Sequence, residues 1–400
     1  MIALGLALWG IFQPLSIAGA NIAIALILAV ILKARFVDGN RFSFDGRSLQ
    51  KPLWIYIFAG IISSAVMSGF KNGLGPLERN FQLLADFYIF SIAFEFSNSL
   101  ATFYFWIFGF SLAALLGLME FAFWRFFPSA AARFNEKILD SHFWSAFYAT
   151  NRAHGTIHPV TFGELMTMAG LGVLAFRMTE RRKGEKEKPW TIAAGILILV
   201  ALALSGTRGA WMGFVIGLSV FALINFRGVV VESFAALGVI LSQFFLSPRF
   251  SKATGALNAK ESSFKIHLAL WKAAWKMFLD HPVLGVGPGR FGAFFGKYHS
   301  LPFGGQPTWG NAHNLYLQTL AERGIAGLCA LFFLLGTMVF RALKIYRKER
   351  SFLSLWFLAW MFSLFFMNLT ESAFGVAMIW MPTIALYAWM ESENRLSGEK

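Results

Sequence analysis

Between Ser262 and Gly327 the chain reads SSFKIHLALWKAAWKMFLDHPVLGVGPGRFGAFFGKYHSLPFGGQPTWGNAHNLYLQTLAERGIAG. This is a polar interval in an otherwise apolar later half, and it gathers His267, His281, His299 and His313 with a run of glycines around Arg290. His313, flanked by Asn311 and Asn314, opens an apolar run. An imidazole changes charge near neutral pH and suits a general base there, although the position also fits a helix cap. Gly285, Gly287 and Gly289 serve either a tight turn or a nest of backbone N–H groups that meets an anion beside Arg290. Arg208, in SGTRGAWMG, stands where one apolar run ends and the next begins. A charge in so short a turn stays near a membrane surface, so it reads as a ligand for phosphate, whether of a substrate or of a lipid headgroup. The sequence holds no DxD pair in its polar intervals, and Glu136, Asp140, Glu261 and Asp280 are scattered, so neither a metal site nor a cofactor is expected.

The elements that position these residues are apolar helices. Hydrophobic residues make up 57% of the 400-residue chain and charged ones 14%, well below the usual quarter of a soluble protein. Mean hydropathy is +0.58, and runs near the roughly 20 residues that cross a bilayer recur throughout. We expect an all-α, polytopic transmembrane bundle with spans near 2–13, 16–32, 53–70, 81–96, 101–123, 161–176, 191–206, 210–226, 229–246, 314–340, 352–370 and 373–390. These group as residues 1–246 with nine spans, a large loop over 247–313, and residues 314–400 with three spans and a tail. The N-terminal run lacks a basic flank and reads as a first helix, not a cleaved signal. The lone Cys329 lies in an apolar run, so disulfides are not expected.

Lysine and arginine set the orientation. The dense sets Lys33–Lys51, Arg177–Lys188 and Arg341–Arg350 occupy short loops on one side, which the positive-inside rule assigns to the cytoplasm. Both termini then face the cytoplasm, and 124–160, 207–209 and 247–313 face outward. The net charge of +14 is thus topological, and no soluble basic face exists for nucleic acid. His142, His154, His158, His267, His281, His299 and His313 all fall on the outward side, where chemistry is expected. Residues 262–280 should lie on the membrane as an amphipathic helix, capped by Ser262 or Ser263 and ended by Pro282. Its apolar stripe is Phe264, Leu268, Trp271, Trp275 and Phe278, with Lys265, Lys272 and Lys276 off the stripe. Asp86, Glu95, Glu120, Glu164, Glu232, Glu322 and Arg323 lie in or near spans, with Glu164 the leading functional candidate among them.

The segments RAHGTIHPVTFGE, SGTRGAWMG, LWKAAWKMFLDHPVLGVGPGRFG and NAHNLYLQTLAERGIAGL together resemble the O-antigen ligase and polymerase family of bacterial membrane glycosyltransferases over roughly residues 150–335. The resemblance implies a GT-C-like bundle in the bacterial inner membrane, with its active site facing the periplasm. It also implies transfer of a glycan from an undecaprenyl diphosphate carrier to a sugar of the lipid A core, metal-independent and inverting. His313 matches the family's loop-end histidine and Arg208 its outer-turn arginine. Where the family carries a further arginine before the LW of the amphipathic helix, this chain offers Lys265 and His267, and Arg290 is a substitute guanidinium. Lysine is a point charge without arginine's bidentate fork. Asn311, Asn314, Arg152 and His158 complete the substrate-binding candidates. A polymerase or a protein-directed transferase of the same family is the nearest alternative. A lipid-linked substrate transporter is the alternative of another class, and it would predict repeats and spans broken at the midplane.

Overall fold

In the computed structural model the described residues are 1–39, 42, 48–68, 77–97, 99–127, 129, 152–224, 238, 263–299 and 309–398. Among them the regular structure is helical: α1 (Ile2–Phe12), α2 (Ile17–Phe36), α3 (Gln50–Ser68), α4 (Glu78–Ala93), α5 (Ser99–Phe126), α6 (Pro159–Arg182) and α7 (Pro189–Leu204). There follow α8 (Arg208–Ile224), α9 (Ser263–Asp280), α10 (Phe291–Tyr298), α11 (Leu315–Glu349), α12 (Phe352–Met367) and α13 (Ala377–Gly398). Helices stand where spans were expected, except that 229–246 lies, but for Gly238, outside the described residues. By length and composition α2, α5, α6 and α11 are long and apolar enough to cross a bilayer, and α1, α7, α8 and α12 are shorter apolar helices.

Polar caps punctuate these runs. Ser16, His158, Asn314 and Ser351 each accept a backbone N–H of the first turn of α2, α6, α11 and α12, and Pro159 occupies the first position of α6. Helix α6 is buried on nearly every side, packed by α7 and α12, while α3 pairs with α11 and α4 with α13. Trp9, Trp106, Trp356 and Trp389 knit α1, α5, α12 and α13 with ring separations of 5.2–6.5 Å. Facing outward instead are Leu26, Phe105, Phe108, Phe332 and Phe340. A belt of large apolar side chains around an apolar core belongs in hydrocarbon, where only helices or closed barrels satisfy the backbone.

Helix α11 carries the feature that fixes the site. It breaks at Gly324, whose φ of 60° and ψ of −162° lie in a region that only glycine adopts readily. The break frees the carbonyls of Ala321 and Glu322 and the amides of Ile325 and Ala326. The loop at 282–287 takes all four: Val286 N donates to Ala321 O, Gly287 N to Glu322 O, Ile325 N to Pro282 O and Ala326 N to Val283 O. Ser63 of α3 adds its hydroxyl to the carbonyls of Leu284 and Glu322. Gly285 and Gly324 pass so close that a Cβ on either would collide with the opposite backbone. The glycine run is thus a backbone splice into a broken helix. Gly324→Ala is expected to cost about 1–3 kcal/mol in backbone strain alone, with the collision added, and to lower the melting temperature in lipid nanodiscs. An unchanged melting curve would sink this account.

The amphipathic α9 also differs in detail from the expected pattern. Leu270, Ala273, Ala274 and Met277 form its buried face against α10 and α11. Leu268 and Trp275 of the expected stripe are 37% and 47% exposed, beside the exposed Lys272 and Lys276. Leu268 and Trp275 therefore point away from the protein, as a helix seated on an interface requires, while Trp271 packs against the buried face.

Candidate functional site

One end of the bundle gathers the start of α6, the turn before α8, the start of α11, the chain after α12, and α9. Asn314 caps α11 by accepting from Tyr316 N and Leu317 N, and its amide donates to Leu369 O. Its carboxamide is committed to holding the backbone. His313, one residue earlier, has a φ of 46°, uncommon outside glycine, and its N–H donates to Asn311 Oδ1 at 3.0 Å. This twist directs the ring toward Glu371, with Nδ1 3.0 Å from Glu371 Oε2. An ionised carboxylate only accepts, so Nδ1 carries the hydrogen and Nε2 is left as the basic nitrogen.

The His267 ring from α9 stacks on His313 at 5.3 Å with 14° between planes, and Trp309 meets His313 edge-on at 6.1 Å. His267 feels the charge of Arg208, and His158 feels that of Arg152; Glu371 acts on both imidazoles. Arg208, Arg152, the three imidazoles and Glu371, which also acts on the buried Glu164, thus form a single electrostatic cluster. Burial holds His267 below the ordinary histidine range, with His313 and Arg208 adding to it and Glu371 opposing. Burial does the same to His158, reinforced by Arg152 and His313. Because these pKa values are lower folded than unfolded, the unfolded chain binds more protons as pH falls through about 6.5, and stability falls with it. The melting temperature should therefore drop on acidification from pH 7, and a His158→Gln, His267→Gln double variant should drop less; equal slopes would argue against the buried imidazoles.

Arg208, the first residue of α8, is exposed, while Arg152 braces the turn before it by donating to Thr207 Oγ1 at 2.6 Å and to Ser205 O. Lys265 is exposed on α9, two residues before His267. Arg290 stands elsewhere: its guanidinium covers the Phe294 ring at 5.1 Å. The nest expected beside it is already filled, since Gly289 N and Phe291 N donate to the Glu322 carboxylate. Of the other histidines, His154 is buried against Glu120 at 3.1 Å, His281 and His299 lie against Phe294 and Phe295, and His142 is outside the described residues.

Behind His313 opens a cavity of about 620 Å³, a size that suits a small organic ligand. His158, Glu164, Asn311, His313 and Glu371 line one part of it, and Tyr56, Arg79, Asn80, Glu322 and Arg323 another. Sequence reasoning missed Glu371, Arg79, Asn80 and Tyr56. Glu371 had a usable signal: it stands in the short polar break NLTES between two apolar runs, the same argument that singled out Arg208.

Comparison with known proteins gives two results. Residues 193–333 match the family model described as O-Antigen ligase. An uncharacterized protein of Haemophilus influenzae is 26% identical over 181 residues, covering 41% of this chain and 45% of the relative. The chain thus spans less than half of that relative's length.

Proposed function

We propose, from the match of residues 193–333 to the family model described as O-Antigen ligase and from the apolar helices of the chain, that this protein is a glycosyltransferase. In this reading it moves a glycan from undecaprenyl diphosphate to a sugar hydroxyl of the lipid A core. The work is done at the periplasmic face of the inner membrane, in a bundle of about a dozen spans with both termini cytoplasmic. The observation that supports it most is that Arg208, His267, His313 and Glu371, from four separate segments, act on one another at one end of the bundle. The basic residues Arg177, Arg181, Arg182, Arg347 and Lys348 stand at the opposite ends of α6 and α11, as the orientation requires.

The acceptor hydroxyl enters from the cavity and gives its proton to His313 Nε2, while Glu371 stabilises the imidazolium that forms. The hydroxyl oxygen attacks the anomeric carbon from the face opposite the diphosphate, so the configuration inverts. The bond from that carbon to the phosphate oxygen breaks, and its electron pair leaves with the diphosphate. Arg208, with Lys265 and His267, meets that growing charge, and Arg152 keeps the Arg208 turn in place. Fixed cations supply what a metal supplies elsewhere, so transfer should survive chelation.

The test is reconstitution of the purified protein with labelled polyprenyl-diphosphate glycan. It offers, in separate reactions, lipid A core, a second carrier-linked glycan, or no acceptor. Label on the lipid A core supports the reading. Growth of carrier-linked glycan would make the protein a polymerase, and movement of label across the bilayer without transfer would make it a transporter.

A further inference from the structure

We infer that the part of the cavity formed by Arg323, Asn80, Arg79 and Tyr56 is a subsite for an anionic group, a carboxylate or phosphate, carried by the acceptor saccharide. Arg323 and Asn80 are only 8% and 6% exposed. Arg323 Nη2 donates to Asn80 Oδ1 at 3.3 Å, and the guanidinium lies over the Tyr56 ring at 4.6 Å, so both side chains are held in place. Among the described residues, neither Arg323 Nη1 nor Asn80 Nδ2 has a hydrogen-bond acceptor. The two nitrogens converge over Gly60, where a Cβ would lie 3.2 Å from each; the missing side chain leaves the gap open.

Both nitrogens are donors, so what is absent is an acceptor. Buried donors without acceptors are costly, above all on a permanent cation, and a bound oxyanion would relieve that cost. The charge balance favours an anion over a neutral hydroxyl. Arg79 adds a second guanidinium at the cavity wall, its Nη1 donating to Gly375 O at 3.2 Å. Glu322 feels the Arg323 charge but makes no ion pair with it among the described residues, its carboxylate being hydrogen-bonded to the amides of Gly289 and Phe291.

Assigning the group to the acceptor rests on the function proposed above. His313 and Glu371 line this cavity, whereas Arg208 and His267, placed on the donor diphosphate, do not. A saccharide with its hydroxyl at His313 would extend toward Arg323.

The experiment uses the full chain in phosphatidylcholine nanodiscs and a fluorescent synthetic saccharide made with and without one phosphate group. Binding is read by anisotropy without donor, and transfer is read separately with labelled donor. Wild type should bind the phosphorylated saccharide at least about tenfold more tightly, the range of a charge-assisted hydrogen bond. Asn80→Asp, which gives Arg323 an internal carboxylate, and Arg79→Gln should each erase most of that preference, read as the ratio of the two saccharides' affinities for the same variant. Arg323→Lys should keep part of it. A binding preference without any transfer would support the subsite while the transfer reading fails. Equal binding of the two saccharides by wild type overturns the inference. So does a preference that vanishes when phosphatidylglycerol replaces the host lipid, which would give the site to a headgroup.

Discussion

Exchanging His313 for alanine is expected to lower glycan transfer by about 10²–10⁴-fold, the contribution of a positioned proton acceptor. Three observations point to so large an effect. Its Nδ1 is engaged by Glu371, its backbone is held in an uncommon conformation by Asn311, and its ring stands at the cavity wall. A base oriented by a third group is the usual sign of a working proton relay. Glu371→Gln should lower kcat more than it changes the acceptor KM, because glutamine keeps the shape of the cavity wall there and loses the charge that stabilises the imidazolium. If the alanine variant kept turnover within threefold of wild type, the proton would have to go elsewhere.

Arg208→Ala is expected to cost about 10²–10³-fold in kcat, comparable to the loss of one fixed donor to a developing oxyanion. Arg208 is exposed at the first residue of α8, where the helix N-terminus already favours negative charge. A guanidinium there adds a charged fork to a set of backbone donors, and leaving-group charge grows most in the transition state. Arg208→Lys should recover only part of the rate, since an ammonium cannot grip two phosphate oxygens at once. Single-turnover measurements with saturating donor would check this. A variant that binds donor less tightly yet turns over at the wild-type rate would place Arg208 on the lipid headgroup instead.

Periodicity and charge made the helices and their order legible, because an apolar run long enough to span a bilayer has little alternative but to be helical. The convergence of Arg208 and His313 on one cluster was legible only as an expectation, because about a hundred residues separate them. Burial and charge at His267 now tie them together. The glycine run was readable as a turn or a nest, and it became something else: its amides are taken by Ala321, Glu322 and His281 carbonyls and by the Glu322 carboxylate. A helix that breaks in order to receive another loop leaves only a glycine after a charged pair, Glu322 and Arg323, which also reads as an ordinary helix end. Arg290 failed to join the cluster because it begins α10 and turns onto Phe294. Glu371 was hidden because a carboxylate gains meaning only from its partner, and its partner is 58 positions away.

The junction at Gly324 closes a ring of chain with hydrogen bonds alone. The chain leaves it after Gly287 and returns to it through Asn314 and α11, so α10 and the start of α11 are both hung from one fixed seam. The loop at 282–287 thus clamps α11 from outside the helix, and the position of His313 just before α11 is inherited from that clamp.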